Sequence, residues 1–169
     1  ASGLELLDVE VIWIKPDSDL DMHRRTIDIG AELGAKNVLC VSSDPDPGAT
    51  AAKLAALCEH AEGPGMRVAL EFGIFTEVRN LRAALSVLDA VAHPLRAVLI
   101  DPIHVDRSGT TVAEIAAIPR ELLPYAQFCD ASAERPDPSD FDAIIIDAID
   151  LRLQCGEGVL PLADMLAAL

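Results

Sequence analysis

The sequence has 169 residues, 51% of them hydrophobic, and its 28 acidic residues outnumber 13 basic ones, for a formal net charge of −15. This length suits one domain with a hydrophobic core. The negative charge argues against nucleic acid and anionic membranes as partners, because both carry charge of the same sign. No signal peptide and no apolar stretch of membrane-spanning length is recognisable, so we expect a soluble, cytoplasmic protein.

Short apolar and β-branched segments recur along the chain at intervals of about 25 to 31 residues, the length of one strand–helix unit. These predicted strands are residues 6–14, 37–41, 67–70, 97–100, 125–129 and, less clearly, 151–155. Helical patterns lie between them, at residues 19–33, 49–62, 78–92, 112–118, 139–149 and from 162 onward. The alternation predicts an α/β fold with a parallel sheet, and no linker divides residues 1–169, which we treat as one domain.

Polar side chains stand where four successive strands are predicted to end. Glu71 follows one strand, Asp101 follows the next with His104 three residues later, and the last strand leads to Glu157 between two glycines. The strand at 125–129 carries Gln127 within it and Asp130 directly after it. Sites in parallel α/β folds are built at this end of the strands. A single acid there is often only a helix cap, but this repetition predicts a binding site.

The chemistry of these side chains predicts the kind of ligand. Carboxylate and amide oxygens are hard ligands, and the sequence has no cluster of cysteines or histidines of the kind that binds structural zinc. We therefore expect one divalent cation, Mn²⁺, Mg²⁺ or Co²⁺ rather than Zn²⁺.

Several segments carry a resemblance to a known family. They are VALEF at 68–72, LIDPIHVDRSG at 99–109, PYAQFCDA at 124–131 and RLQCGEGVLPL at 152–162. In this order and spacing they resemble the sugar phosphate isomerase/epimerase family of the xylose isomerase-like TIM barrel superfamily. The resemblance covers nearly the whole chain and implies a (β/α)8 TIM barrel. Such a barrel takes about 250 residues, so we expect an incomplete one, with about six βα units and the first two strands missing. Its open strand edges predict a homo-oligomer.

The resemblance also implies the roles of individual residues. Four side chains match the family's metal ligands, namely Glu71, Asp101, Gln127 and Glu157. Glu71 and Glu157 match the catalytic pair that removes and returns a proton. The implied substrate contacts are His104, Glu77 and Arg135. One departure from the family pattern is Cys155, which stands before the Gly-Glu-Gly turn where the family usually has proline.

The function implied is a metal-dependent isomerase or epimerase that abstracts a proton next to the carbonyl of a sugar or sugar phosphate and proceeds through an enediolate. A metal-dependent dehydratase of the same superfamily is an alternative, because it begins with the same proton abstraction. A truncated barrel without catalytic activity is another. The superfamily's endonuclease branch is disfavoured, since it needs a histidine-rich zinc site and a basic surface.

Overall fold

A four-stranded parallel sheet organises the fold. The computed structural model describes residues 3–169. The strands are β1 (Asp8–Ile14), β2 (Asn37–Ser42), β3 (Arg67–Glu71) and β4 (Arg96–Leu99), and they lie side by side in chain order. In the register, Val38 lies opposite Val68 and Ala69 opposite Ala97. This order is that of successive βα units in a barrel wall, and it confirms the predicted α/β class.

Helices follow the strands. They are α1 (Leu20–Glu32), α2 (Pro47–His60), α3 (Leu81–Asp89), α4 (Pro102–Arg107), α5 (Val112–Ala116), α6 (Phe141–Ile149) and α7 (Leu162–Ala168), with a 3₁₀ turn at Arg120–Leu122. The side chains of Thr111 and Glu114 each accept the other's backbone N–H at the start of α5, and this capping box fixes where the helix begins. The short helix α4 was not predicted. None of the helices within residues 3–169 combines the length and the apolar character that crossing a bilayer requires.

The two faces of the sheet differ in what covers them. One face carries Val38, Val68 and Val98 and packs with residues of the helices into the main core. The other face carries a smaller cluster, made of Leu39, Val41, Ala69, Ala97 and Leu99, with Trp13, Phe75 and Tyr125 packed against it. Because side chains alternate along a strand, Glu71 shares this second face with Ala69. The second face therefore leads directly to the candidate site.

The last two predicted strands do not form as strands. Residues 125–129 join the sheet through one parallel bridge, Ile100 to Ala126, and residues 151–155 contribute one antiparallel bridge, Asp130 to Leu153. Pro124, just before the first of these segments, has no N–H with which to extend the ladder. The second segment has only a few residues between the end of α6 and the turn at Gly156. Apolar content indicated strands at both places, but within residues 3–169 the pairing found for each segment is this single bridge.

Candidate metal and active site

Three ionisable side chains meet at the carboxyl ends of β3 and β4. Glu71 is the last residue of β3, and Asp101 lies just beyond β4. With His104 of α4, each offers one ligand atom, and these atoms all lie within 4.8 Å of one another. The Nε2 atom of His104 is 3.8 Å from Oε2 of Glu71. All three residues are buried. The structure thus brings together the two acids that the sequence placed at strand ends.

The start of α4 holds two members of this cluster. Asp101 is the N-cap residue, and its Oδ1 accepts the backbone N–H of Ile103 at 3.1 Å, while Pro102 occupies the first helical turn without an orphaned N–H. His104 lies three residues after Asp101, a spacing that puts both side chains on one side of a helical turn. Asp101 therefore caps α4 and also belongs to the cluster.

Burial sets the charge of the cluster. It raises the pKa of Glu71 to about 8, with a further contribution from the nearby charge of Asp101. It lowers the pKa of His104 to about 4, because a charged imidazole would lose its hydration there. At neutral pH His104 is therefore neutral, and one of its ring nitrogens has a lone pair that can bind a cation. Glu71 is protonated unless a cation binds beside it.

Arg152 is a member of the site that the sequence interpretation missed. Its Nη1 donates to Oδ2 of Asp101 at 2.6 Å and lies 3.4 Å from Sγ of Cys129. Arg152 opens the segment RLQCGEG, from which only the glutamate was taken as functional. The signal that could have found it is a basic residue in the same short segment as a predicted metal ligand, Glu157.

A cavity of about 170 Å³ opens onto the cluster. Gln127 lines it and is held by its backbone N–H, which donates to the carbonyl of Ile100 at 3.0 Å. Trp13 and Phe75 form an aromatic wall, with ring centroids 6.0 Å apart, and the Phe75 ring lies 5.1 Å from that of His104. The cavity thus has an ionisable end and an apolar wall, the usual combination in small-molecule sites.

Three residues that the sequence assigned to the site lie outside both the cluster and its cavity. Glu157 is exposed in the turn after residues 151–155. Glu77 is exposed too, with its backbone N–H on the carbonyl of Ser42 at 3.0 Å. Arg135 is exposed and donates to Asp106 at 2.8 Å. Their roles in metal or substrate binding stay predictions.

Asp130, the acid that follows Gln127, has a structural task. Its Oδ1 accepts the backbone N–H groups of Ala131 and Leu160 at 2.9 and 3.0 Å, and its Oδ2 accepts that of Gly156 at 3.0 Å. Burial alone would raise the pKa of Asp130, but these bonds and one from Gly158 outweigh burial and lower it. Asp130 therefore holds the Gly-Glu-Gly turn in place.

The donor set of the cluster fits a divalent cation. Ligands bound to one ion at about 2.0–2.2 Å must lie roughly 3–4 Å apart, close to the separation of the Glu71, Asp101 and His104 ligand atoms. Two carboxylates and a neutral imidazole suit Mn²⁺, Co²⁺ and Zn²⁺ alike. The imidazole is a ligand that the sequence interpretation had assigned to substrate.

Solved structures with the same fold align with nearly the whole chain. A xylose isomerase-like TIM barrel/4-hydroxyphenylpyruvate dioxygenase fusion protein matches with a TM-score of 0.85 and 21% identity, over 98% of this chain and 28% of that one. The IOLI protein, solved with a bound zinc atom, matches at 0.79 and 18%, over 97% and 62%. The probable 3-DHS dehydratase AsbF from Bacillus anthracis matches at 0.68 and 15%, over 94% and 66%. The chain thus spans less than two thirds of each, and these identities show the fold alone.

A search of curated proteins finds no match. The profile of one family, described as the xylose isomerase-like TIM barrel, matches residues 13–169. This match covers nearly the entire chain, and it agrees with the parallel sheet and with the structural neighbours. The chain belongs to the xylose isomerase-like TIM barrel family.

Proposed function

We propose that this protein is a divalent-metal-dependent isomerase or epimerase that moves a proton on the carbon next to a carbonyl. Its substrate would be a sugar, a sugar phosphate or a small hydroxy-keto compound. The observation that carries the proposal is the buried cluster of Glu71, Asp101 and His104, which opens onto a cavity of about 170 Å³. Membership of the xylose isomerase-like family supports the same reaction class.

In this proposal Glu71 and Asp101 hold the metal, with His104 and Gln127 as neighbouring donors. Glu157 is the remaining predicted ligand, and the exposed turn that carries it would have to close onto the cluster. A divalent cation bound there would polarise a carbonyl and the adjacent hydroxyl, and so stabilise the negative charge that develops as the carbon loses its proton.

The side chains have distinct tasks around the substrate. Glu71, ionised beside a positive charge, takes the carbon-bound proton, and Glu157 returns one on the other side, as the resemblance implies. His104, neutral at pH 7, donates a hydrogen bond to a substrate oxygen or binds the metal. Trp13 and Phe75 offer an apolar wall to the C–H face of a sugar. Glu77 and Arg135 stay predicted substrate contacts, carried by exposed loops.

A dehydratase is the second candidate, and the likeness to the probable 3-DHS dehydratase from Bacillus anthracis favours it. It would use the same cluster to abstract a proton and would then expel a hydroxyl group as water. The first step is shared, so the products separate the two functions.

The metal site is tested by thermal unfolding of chelator-treated protein with and without Mn²⁺. We expect Mn²⁺ to raise the melting temperature of wild type. Glu71→Gln should lose most of that rise, whereas Glu59→Gln, the same change at an exposed position of α2, should keep it. Wild type that shows no rise with Mn²⁺, Co²⁺ or Zn²⁺ would contradict the metal site.

The reaction is tested in D₂O with a panel of ketoses, their phosphates and hydroxy-keto acids, with mass spectrometry of the products. Carbon-bound deuterium in a product that has not lost water indicates an isomerase or epimerase. A product that has lost water indicates the dehydratase. Glu71→Gln should slow incorporation by roughly 10²–10⁴-fold, the usual contribution of a general base. Metal-loaded wild type that incorporates no deuterium with any of these compounds would rule out the proposed reaction.

A further inference from the structure

Arg152 and Asp101 form an ion pair inside the cluster, and its geometry bears on how a metal enters. The Nη1–Oδ2 distance is 2.6 Å, and the Asp101 side chain has no exposed surface, whereas 31% of the Arg152 side chain is exposed. A second donor of Arg152, Nε, is held by the carbonyl of Ala148. The guanidinium group is therefore fixed against a fully buried carboxylate.

Both oxygens of Asp101 already have partners. Oδ1 accepts the N–H of Ile103 at 3.1 Å and is 3.4 Å from the thiol of Cys129, and Oδ2 accepts from Arg152. A metal ion on Asp101 needs an oxygen at about 2.0–2.2 Å. Each oxygen keeps a second lone pair, but Oδ1 already has the cap and the thiol as neighbours, so Oδ2 is the more open position and an ion there would share it with Arg152. Two positive charges at one oxygen repel each other strongly in a buried site.

We propose that Arg152 is the resident counter-ion of the metal-free site and that a metal must displace it from Asp101. This inference rests on the proposed metal site. A buried carboxylate without a positive partner is costly, so the metal-free protein needs Arg152 where it is. The apparent metal affinity is then the intrinsic affinity multiplied by the fraction of molecules in which Arg152 has left Asp101.

The surroundings give the displaced side chain a place to move. Arg152 lines the cluster's cavity and also a larger one, of about 620 Å³. Glu10 lines both cavities, and Arg152 is close enough to lower the pKa of this carboxyl, which partial burial and Asp8 otherwise raise. Asp130–Leu153 is the only strand pairing found for the segment 151–155 within residues 3–169. The Arg152 side chain can therefore leave Asp101 and pair with Glu10 without breaking hydrogen bonds of the β-sheet.

The test is Mn²⁺ affinity of the whole chain, measured by titration calorimetry for wild type, Arg152→Met and a charge-matched control, Arg24→Met. Arg24 pairs with Asp21 on the surface of α1. We expect Arg152→Met to bind Mn²⁺ at least about tenfold more tightly than wild type, and Arg24→Met to match wild type. Metal-free Arg152→Met should also melt at a lower temperature than wild type, and the difference should shrink when metal is bound.

Equal or weaker Mn²⁺ binding by Arg152→Met, with wild type binding normally, would overturn the inference and leave the proposed function standing. If neither wild type nor Arg152→Met bound Mn²⁺, both this inference and the proposed metal-dependent function would be overturned. A second measurement uses wild type alone, in case the variant does not fold. In NMR spectra, the Arg152 Nε–H resonance should shift in step with saturation by diamagnetic Zn²⁺, and a resonance unchanged at saturation would also overturn the inference.

Discussion

Two buried carboxyl groups, those of Asp130 and Glu71, differ in the polar groups that contact them. Asp130 accepts backbone N–H groups on both oxygens, which lower its pKa. Within the described part of the chain, the close polar contact found for the Glu71 carboxylate is His104 at 3.8 Å, and burial raises its pKa to about 8. A buried acid satisfied by its own backbone is a structural element, whereas a buried acid without such bonds is available to a ligand.

The largest expected effect on stability is at the satisfied acid. Asp130→Asn places an NH₂ group against backbone N–H donors and removes charge-assisted bonds, so it should lower the free energy of unfolding by about 3 kcal/mol. Chemical denaturation measures this. The control is Asp140→Asn at the exposed N-cap of α6, where asparagine caps equally well. A loss at Asp130 no larger than at Asp140 would contradict the structural role.

The next effect concerns the glycine that lets the turn approach Asp130. A Cβ added at Gly158 would meet the carbonyl oxygen of Ala131 and the Asp130 carboxylate. Gly158→Ala should therefore cost about 2 kcal/mol of unfolding free energy, as overpacking against backbone does. Gly63→Ala is the control, because no atom lies within 4 Å of its added Cβ. Equal stabilities for the two variants would show that the turn can move away from Asp130.

The effect expected at Glu71 depends on pH. The pKa of Glu71 is raised from 4.5 to about 8, so its contribution to stability is fully present below pH 4.5 and is lost as pH rises through 8. In chelator, Glu71→Gln should match wild type at about pH 4.5, become relatively more stable as the pH rises to about 8, and gain nothing further above it.

Melting temperatures of the two proteins across this range measure the effect. The difference between them isolates Glu71 from its ionisable neighbours His104, Asp101, Arg152 and Glu10, which both proteins share. If Glu71→Gln instead became less stable than wild type as pH rises, Glu71 would be ionised at neutral pH without a metal. The pH dependence of stability has the opposite sign at Asp130. Because the pKa of Asp130 is lowered, its contribution to the free energy of unfolding is lost as pH falls below 3.8.

The sequence by itself determined the α/β class, the places of the four sheet strands and the meeting of Glu71 with Asp101. These follow from local rules, since apolar periodicity sets the strands and parallel strands end at one edge. Only the tertiary structure decided what the remaining polar residues do. Arg152 reaches Asp101 across 51 residues of chain. Asp130 finds its partners in the turn at 156–160, and that turn leaves Glu157 exposed. Such contacts depend on how residues 130–160 fold over the sheet, which no local pattern specifies.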